Sequence, residues 1–103
     1  MLERNFQARL IRELKRTYPD CVVLKTDPNY IQGFPDLLVL RGRTWVALEC
    51  KRDGKAARRP NQEYYVDKLD HMSLARFISP ENKEEVLHEI QRAFQAEGRS
   101  RTP

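Results

Sequence analysis

Apolar residues recur along the first eighteen positions as Leu2, Phe6, Leu10, Ile11 and Leu14, among charged neighbours. Steps of three and four predict an amphipathic helix over residues 2–18, ended by Pro19. Cys21-Val22-Val23-Leu24 is short and rich in β-branched residues, which predicts a strand. Asp27, Pro28, Asn29 and Gly33 punctuate a loop, and Asp36-Leu37-Leu38-Val39-Leu40 predicts a second strand. Only Arg41-Gly42-Arg43 separates it from a third apolar run over residues 44–51, so the two should form an antiparallel hairpin. Asp53-Gly54 breaks that run. A basic loop then leads to Pro60, a favoured first-turn residue, and to a helix over about residues 61–71. Leu74 to Ile78 reads as a fourth strand, and Ser79-Pro80-Glu81 as the cap-like start of a last helix carrying Val86, Leu87, Ile90 and Phe94. Residues 98–103 are polar and should fray. Neither a repeat nor a linker interrupts the chain. The expected architecture is one α/β domain over residues 1–97 with a flexible tail, its αβββαβ core being a mixed four-stranded sheet flanked by helices.

One stretch breaks the pattern. Within Val46-Ala47-Leu48-Glu49-Cys50-Lys51, alternation puts Glu49 and Lys51 on the face of Trp45 and Ala47, leaving Val46, Leu48 and Cys50 for the other. In a hairpin the start of one strand lies beside the end of its partner, so Asp36, directly after Pro35, comes close to both polar residues. Two carboxylates and an ammonium then converge at one sheet end. Adjacent carboxylates repel unless a cation lies between them, and hard divalent ions such as Mg²⁺ take carboxylates, carbonyls and waters. A lysine beside them can hold or activate a water and offset charge on an attacked phosphate. Taken alone, Glu-x-Lys is an exposed same-face pair and Asp36 a turn residue, since short motifs arise by chance. The Pro-Asp on the preceding strand, in the right topology, turns the reading towards phosphodiester hydrolysis.

Gly33-Phe34-Pro35-Asp36 followed by Glu49-Cys50-Lys51 resembles the PD-(D/E)XK nuclease signature as arranged in the VRR-NUC family. The likeness runs from Glu3 to Phe94, and Gln62, two residues after Pro60, matches the opening of that family's second helix. The resemblance implies a restriction-endonuclease-like core and a Mg²⁺-dependent deoxyribonuclease in which Mn²⁺ can substitute. It implies that Asp36, Glu49, the Cys50 backbone carbonyl and Glu3 hold the metal, that Lys51 positions or activates the water, and that Gln62 adds to the catalytic group. Small stand-alone members resemble junction resolvases, which implies a structure-selective endonuclease for branched DNA such as four-way junctions, with a role in DNA repair or recombination. Paired cuts on two strands of opposite polarity favour a two-fold homodimer. Two other readings stay open: a nuclease of this fold acting on flaps, ends or RNA, and a catalytically silent nucleic-acid-binding module. Local physics also accounts for each added residue. Glu3 extends the Phe6, Leu10 and Leu14 stripe and is favoured at a helix N-terminus; Gln62 does the same for Tyr65, Val66 and Leu69. Gly33 serves as a turn glycine or allows backbone to approach a phosphate.

Composition supports this without deciding it. The 103 residues, 40% apolar, suffice for one domain, and a net charge of +4 suits a polyanionic partner. Lys51, Arg52, Lys55, Arg58 and Arg59 crowd nine positions against Asp53 alone. Beside a phosphodiester site such a run is expected to contact phosphates and release counterions. Arg58 and Arg59 lead that face, with Arg52, Lys55, Lys25 and Gly33, and with Arg41 and Arg43 in the hairpin as further candidates. Tyr30, Tyr64 and Tyr65 are candidates for base stacking or for core. His71 and His88 lack partner spacing and are expected at the surface or at helix ends. Cys21 and Cys50, without CxxC spacing, are read as reduced, buried hydrophobes. No apolar run approaches the roughly 20 residues of a membrane span, and Glu3 and Arg4 stand where a signal peptide needs apolar residues, so an intracellular, cytoplasmic protein with no membrane partner and no small-molecule cofactor is expected.

Overall fold

Two apolar stripes repeating every fourth residue place the outer helices. The computed structural model describes residues 2–100, with side chains as far as residue 96. In α1 (Glu3–Thr17) the stripe is Phe6, Leu10 and Leu14, and in α3 (Lys83–Ser100) it is Val86, Ile90 and Phe94; none of the six is more than 4% exposed. Between them lie β1 (Val22–Lys25), β2 (Leu37–Arg41), β3 (Thr44–Cys50), α2 (Pro60–Met72) and β4 (Leu74–Ile78). The sheet order is β1-β2-β3-β4, the first three antiparallel and β4 parallel to β3, with α2 as the crossover. A parallel neighbour needs such a crossover, whereas the two-residue turn Gly42-Arg43 suffices between β2 and β3. Gly42 takes φ 61° at the first central position, as a II′ hairpin turn requires.

Strand alternation divides the core. Leu37, Val39, Val46, Leu48, Cys50 and Ile78 pack against α1 and α3, while Ala47 and Ala75 pack with Leu69 of α2, bordered by Phe34, Leu38, Trp45, Tyr65 and Val66. Each buried Leu, Ile or Phe contributes about 1.5–3 kcal/mol, so the α1–α3 side holds most of the stability. The α2 side is thinner, and its polar end is the Glu49–Lys51 face of β3.

The expected α/β class, element order and mixed four-stranded sheet are present. Three details differ. The last helix begins at Lys83, where the Asn82 carbonyl accepts the Val86 amide, and Ser79 is left at the buried end of β4. Helix α3 continues through Gly98 to Ser100, into the segment expected to be tail; residues 101–103 lie outside the described residues. Cys50 is fully buried as expected, but Cys21 is half-buried just before β1; both are free thiols.

Candidate active site

The path of the chain into β2 fixes Asp36. Thr26, after β1, donates its amide to the Asp36 carbonyl at 2.9 Å and its hydroxyl to the Pro35 carbonyl at 2.6 Å, holding Pro35-Asp36 against the sheet. Leu37 pairs with Leu48, so one further step of the same register sets Asp36 opposite Glu49. The Cys50 amide donates to Asp36 Oδ2 at 2.9 Å. In an extended strand a residue's N–H and C=O point to the same side, so the Cys50 carbonyl also looks toward Asp36.

Gly33 sets the approach. Its φ of +89° suits glycine, and a Cβ there would overlap Asn61 in the first turn of α2. Its lack of a side chain is therefore explained by helix packing, without a phosphate. Gly33→Ala should lose at least about 2 kcal/mol, given roughly 1–2 kcal/mol for the left-handed backbone and the Asn61 overlap on top. Urea denaturation checks this, and a variant as stable as the parent would contradict it.

Glu49 and Lys51 end β3 on the α2 face, 4% and 8% exposed. The Lys51 amide donates to the Ile78 carbonyl at 2.8 Å, which ties the strand end to β4. Gln62, at the third position of α2, joins the two side chains. Its Oε1 accepts from Lys51 Nζ at 2.7 Å and from the Arg59 amide at 3.0 Å, while its Nε2 donates to Glu49 Oε2 at 3.0 Å. Lys51 Nζ also donates to the Ala57 carbonyl at 2.9 Å. Both ends of the Gln62 amide are thus engaged, and the ammonium is held at a fixed distance from the carboxylate.

Electrostatics set these acids against one another. Glu49 is pushed up to about 8, first by burial, then by Asp36 and Glu3; Lys51 and a hydrogen bond from the Asp36 backbone oppose the rise. Burial also raises Asp36, against the Cys50 amide and Lys51. Glu3, exposed in the first turn of α1, is raised by partial burial and by Asp36, and Lys51 and Arg52 oppose this. Among the described residues no three His, Cys, Asp or Glu side chains form a group that could hold a metal ion. The close donors are therefore the Asp36 and Glu49 carboxylates and the Cys50 carbonyl, with Glu3 felt through charge.

The basic residues divide by position. Arg52, Lys55, Arg58 and Arg59 are exposed on the loop between β3 and α2, and Lys25 is exposed at the end of β1, paired with Leu37 at the start of β2. Arg58 lays its guanidinium 4.1 Å from the Phe77 ring centre. Arg41 ends β2 and Arg43 lies in the hairpin turn, roughly 20 Å away along β3 at about 3.3 Å per residue, and Arg41 binds Asp20 at 2.9 Å. They belong to the other end of the sheet, away from the carboxylate cluster. Tyr65 packs on Phe34 at a ring separation of 5.6 Å, whereas Tyr30 and Tyr64 are exposed. His71 and His88 are exposed helical residues, as expected.

Sequence reasoning missed Thr26 and the Ala57 carbonyl. A threonine beside Asp27-Pro28 looks like any loop residue, and a backbone carbonyl has no sequence signature. Comparison of the chain with protein-family models, with curated proteins and with solved structures finds no match.

Proposed function

We propose that this chain is a metal-dependent nuclease with a restriction-endonuclease-like core of the VRR-NUC type, hydrolysing phosphodiester bonds in branched DNA such as four-way junctions. One observation carries the reading: Asp36, Glu49 and Lys51 meet at one end of the sheet, with Gln62 bonded to both Glu49 and Lys51. A buried carboxylate and a half-buried one that each resist ionisation are relieved by a cation between them, and a hard ion needs only one or two carboxylates when waters and substrate oxygens complete its shell. The donor set fits Mg²⁺ or Mn²⁺, held by Asp36, Glu49 and the Cys50 carbonyl, with Glu3 adding negative charge. Bound there, the ion supplies Lewis-acid polarisation of a phosphoryl oxygen and acidifies a coordinated water.

The chain's own residues do the rest. Lys51 positions the attacking water and offsets the charge that builds on the phosphate. Gln62 fixes the ammonium and the Glu49 carboxylate relative to each other, so neither has to be ordered when substrate arrives. Arg58, Arg59, Arg52, Lys55 and Lys25 bind phosphates beside the site and supply affinity without sequence preference. A single site per chain, used on two strands of opposite polarity, favours a two-fold homodimer. Among the described residues no helix is long and apolar enough to cross a membrane, and the proposed substrate places the protein with intracellular nucleic acid.

The test incubates purified protein with linear duplex, flap, splayed-arm and four-way-junction DNA, and with RNA, in Mg²⁺, Mn²⁺ or EDTA. Cutting of the junction in either metal and none in EDTA is expected. Metal-independent cutting would sink the site assignment. Preference for flaps, ends or RNA would move the substrate class, and binding without cutting on every substrate would support the silent module. Sedimentation decides the dimer.

A further inference from the structure

A second feature lies beside the cluster on the same face of the sheet. Cys50 pairs with Ile78, so the next step of the parallel register sets Lys51 beside Ser79. Ser79 is 4% exposed, and its amide is taken by Asn82 Oδ1 at 2.8 Å. Its hydroxyl makes no hydrogen bond among the described residues and opens to solvent, since no buried polar side-chain atom among them lacks a partner. Ser79 lines a hollow of about 90 Å³, together with Lys51, Arg58, Phe77 and Asn82. Among the described residues Arg58 makes no ion pair; its guanidinium lies over the Phe77 ring and keeps its donors. Lys51 Nζ carries three protons and spends two, on Ala57 and Gln62.

Three groups with unspent donors therefore line one small space. Two carboxylates also border it. Asp53 accepts the Lys55 amide at 2.8 Å and lies 3.5 Å from Arg52, so its charge is partly offset, and Glu81 is exposed at the rim. The floor is formed by Lys51 and Ser79, the two least exposed polar residues of the lining. A cavity of roughly 150 Å³ holds a benzene ring, so 90 Å³ takes a compact group of a few heavy atoms and excludes a nucleobase.

We infer that this hollow is a subsite for one phosphate group inside the nucleic-acid strand, bound by Arg58 and the Ser79 hydroxyl next to the phosphate that is cut, with the Lys51 ammonium adding its charge at the boundary between the two. The source of that phosphate rests on the proposed nuclease reading; the anion chemistry of the hollow does not. Charge patterning marks Arg58 only as a general backbone contact. The hollow gives it a defined partner in Ser79, which no motif marks.

The experiment uses the full chain in EDTA, so that cleavage plays no part in the readout. Inorganic phosphate is titrated while backbone amide resonances are followed, and saturable shifts centred on Arg58, Ser79 and Asn82 are expected. No shifts, or shifts scattered over lysines and arginines across the surface, would overturn the subsite. Binding to duplex DNA is then measured across salt concentrations. Arg58→Gln should make the slope of log affinity against log salt shallower by about 0.9, the value of one lost phosphate contact. Ser79→Ala should weaken binding several-fold with the slope unchanged, because a hydroxyl carries no charge. Parent-like affinity and slope in both variants would overturn the proposal, as would tighter binding of a single strand with a 5′-phosphate than of the same strand with a 5′-hydroxyl. A protein that passes these tests yet never cuts leaves the subsite standing and removes the nuclease.

Discussion

Without divalent metal, stability should fall by several kcal/mol as pH rises from about 4.5 to about 8, and Glu49→Gln should remove most of that fall. Glu49 moves from 4.5 to about 8 on folding, and each pH unit is 1.36 kcal/mol. Below about pH 4.5 the carboxyl is protonated in both states and contributes no penalty. Between the two values the unfolded chain releases the proton while the folded chain keeps it, so the folded state binds more protons and stability falls with rising pH. Above about pH 8 Glu49 is ionised in both states and the loss is complete. Asp36 and Glu3 are raised too, so a smaller slope of the same sign survives in the variant. The amide introduced by Glu49→Gln keeps an oxygen for Gln62 Nε2 and carries no charge, so at pH 8 the variant should be more stable than the parent while losing cleavage. Urea denaturation of both proteins at pH 5 and pH 8 in EDTA measures the difference. Parallel pH profiles would show that Glu49 ionises normally. Mg²⁺ should restore the parent at pH 8 and leave the variant unchanged, because a cation held by the carboxylates must displace their protons.

Glu49 is legible in the sequence because it violates a rule. A charged residue at an inward position of an apolar strand costs several kcal/mol unless something compensates, so Glu49 and Lys51 stand out from Trp45 and Ala47. Asp36 becomes legible only through the short Arg41-Gly42-Arg43 connection, which fixes the hairpin and hence which ends meet. The same topology sets Arg41 and Arg43 apart from the cluster, since residues at the turn lie at the far end from the strand termini. The two stripes of α1 and α3 are plain from periodicity, but the start of α3 is not. Ser79-Pro80-Glu81 has the composition of a helix cap, yet Ser79 continues the face of β4 and Asn82 closes the turn. Gln62 is recognisable as the polar end of the Tyr65, Val66 and Leu69 stripe. That its amide binds both Glu49 and Lys51 depends on the angle at which α2 crosses the sheet. That angle is set partly by Gly33 against Asn61, which lie far apart in the chain. Thr26 and the Ala57 carbonyl belong to loops whose paths are fixed by such contacts, and local composition does not encode them.

Lys51→Met tests the other half of the pair and should act in the opposite direction on stability. In the proposed nuclease it removes the group that positions water and offsets phosphate charge, so cleavage should fall by about 10²–10⁴-fold. Binding in EDTA should change far less, since Arg52, Lys55, Arg58 and Arg59 remain on the loop. Met fills the volume of the aliphatic stem, so the packing of this 8%-exposed side chain is largely kept and the change reports on the ammonium. Loss of the ammonium leaves Glu49 and Asp36 with one fewer opposing cation, since Lys51 lowers both. Stability at pH 8 should therefore drop, whereas Glu49→Gln raises it. The two substitutions should also be non-additive, because both act on the Lys51–Gln62–Glu49 chain of hydrogen bonds. In a Glu49→Gln background Lys51 offsets Asp36 alone, and Lys51→Met should be less destabilising there than in the parent. Lys51→Arg should not rescue cleavage, because a planar fork cannot reproduce a point donor shared between the Ala57 carbonyl and Gln62 Oε1. Single-turnover cleavage with urea denaturation of the four proteins of the cycle provides both readouts. Full cleavage by Lys51→Met would remove the lysine from the chemistry, and additive stabilities would remove the electrostatic coupling that the buried cluster implies.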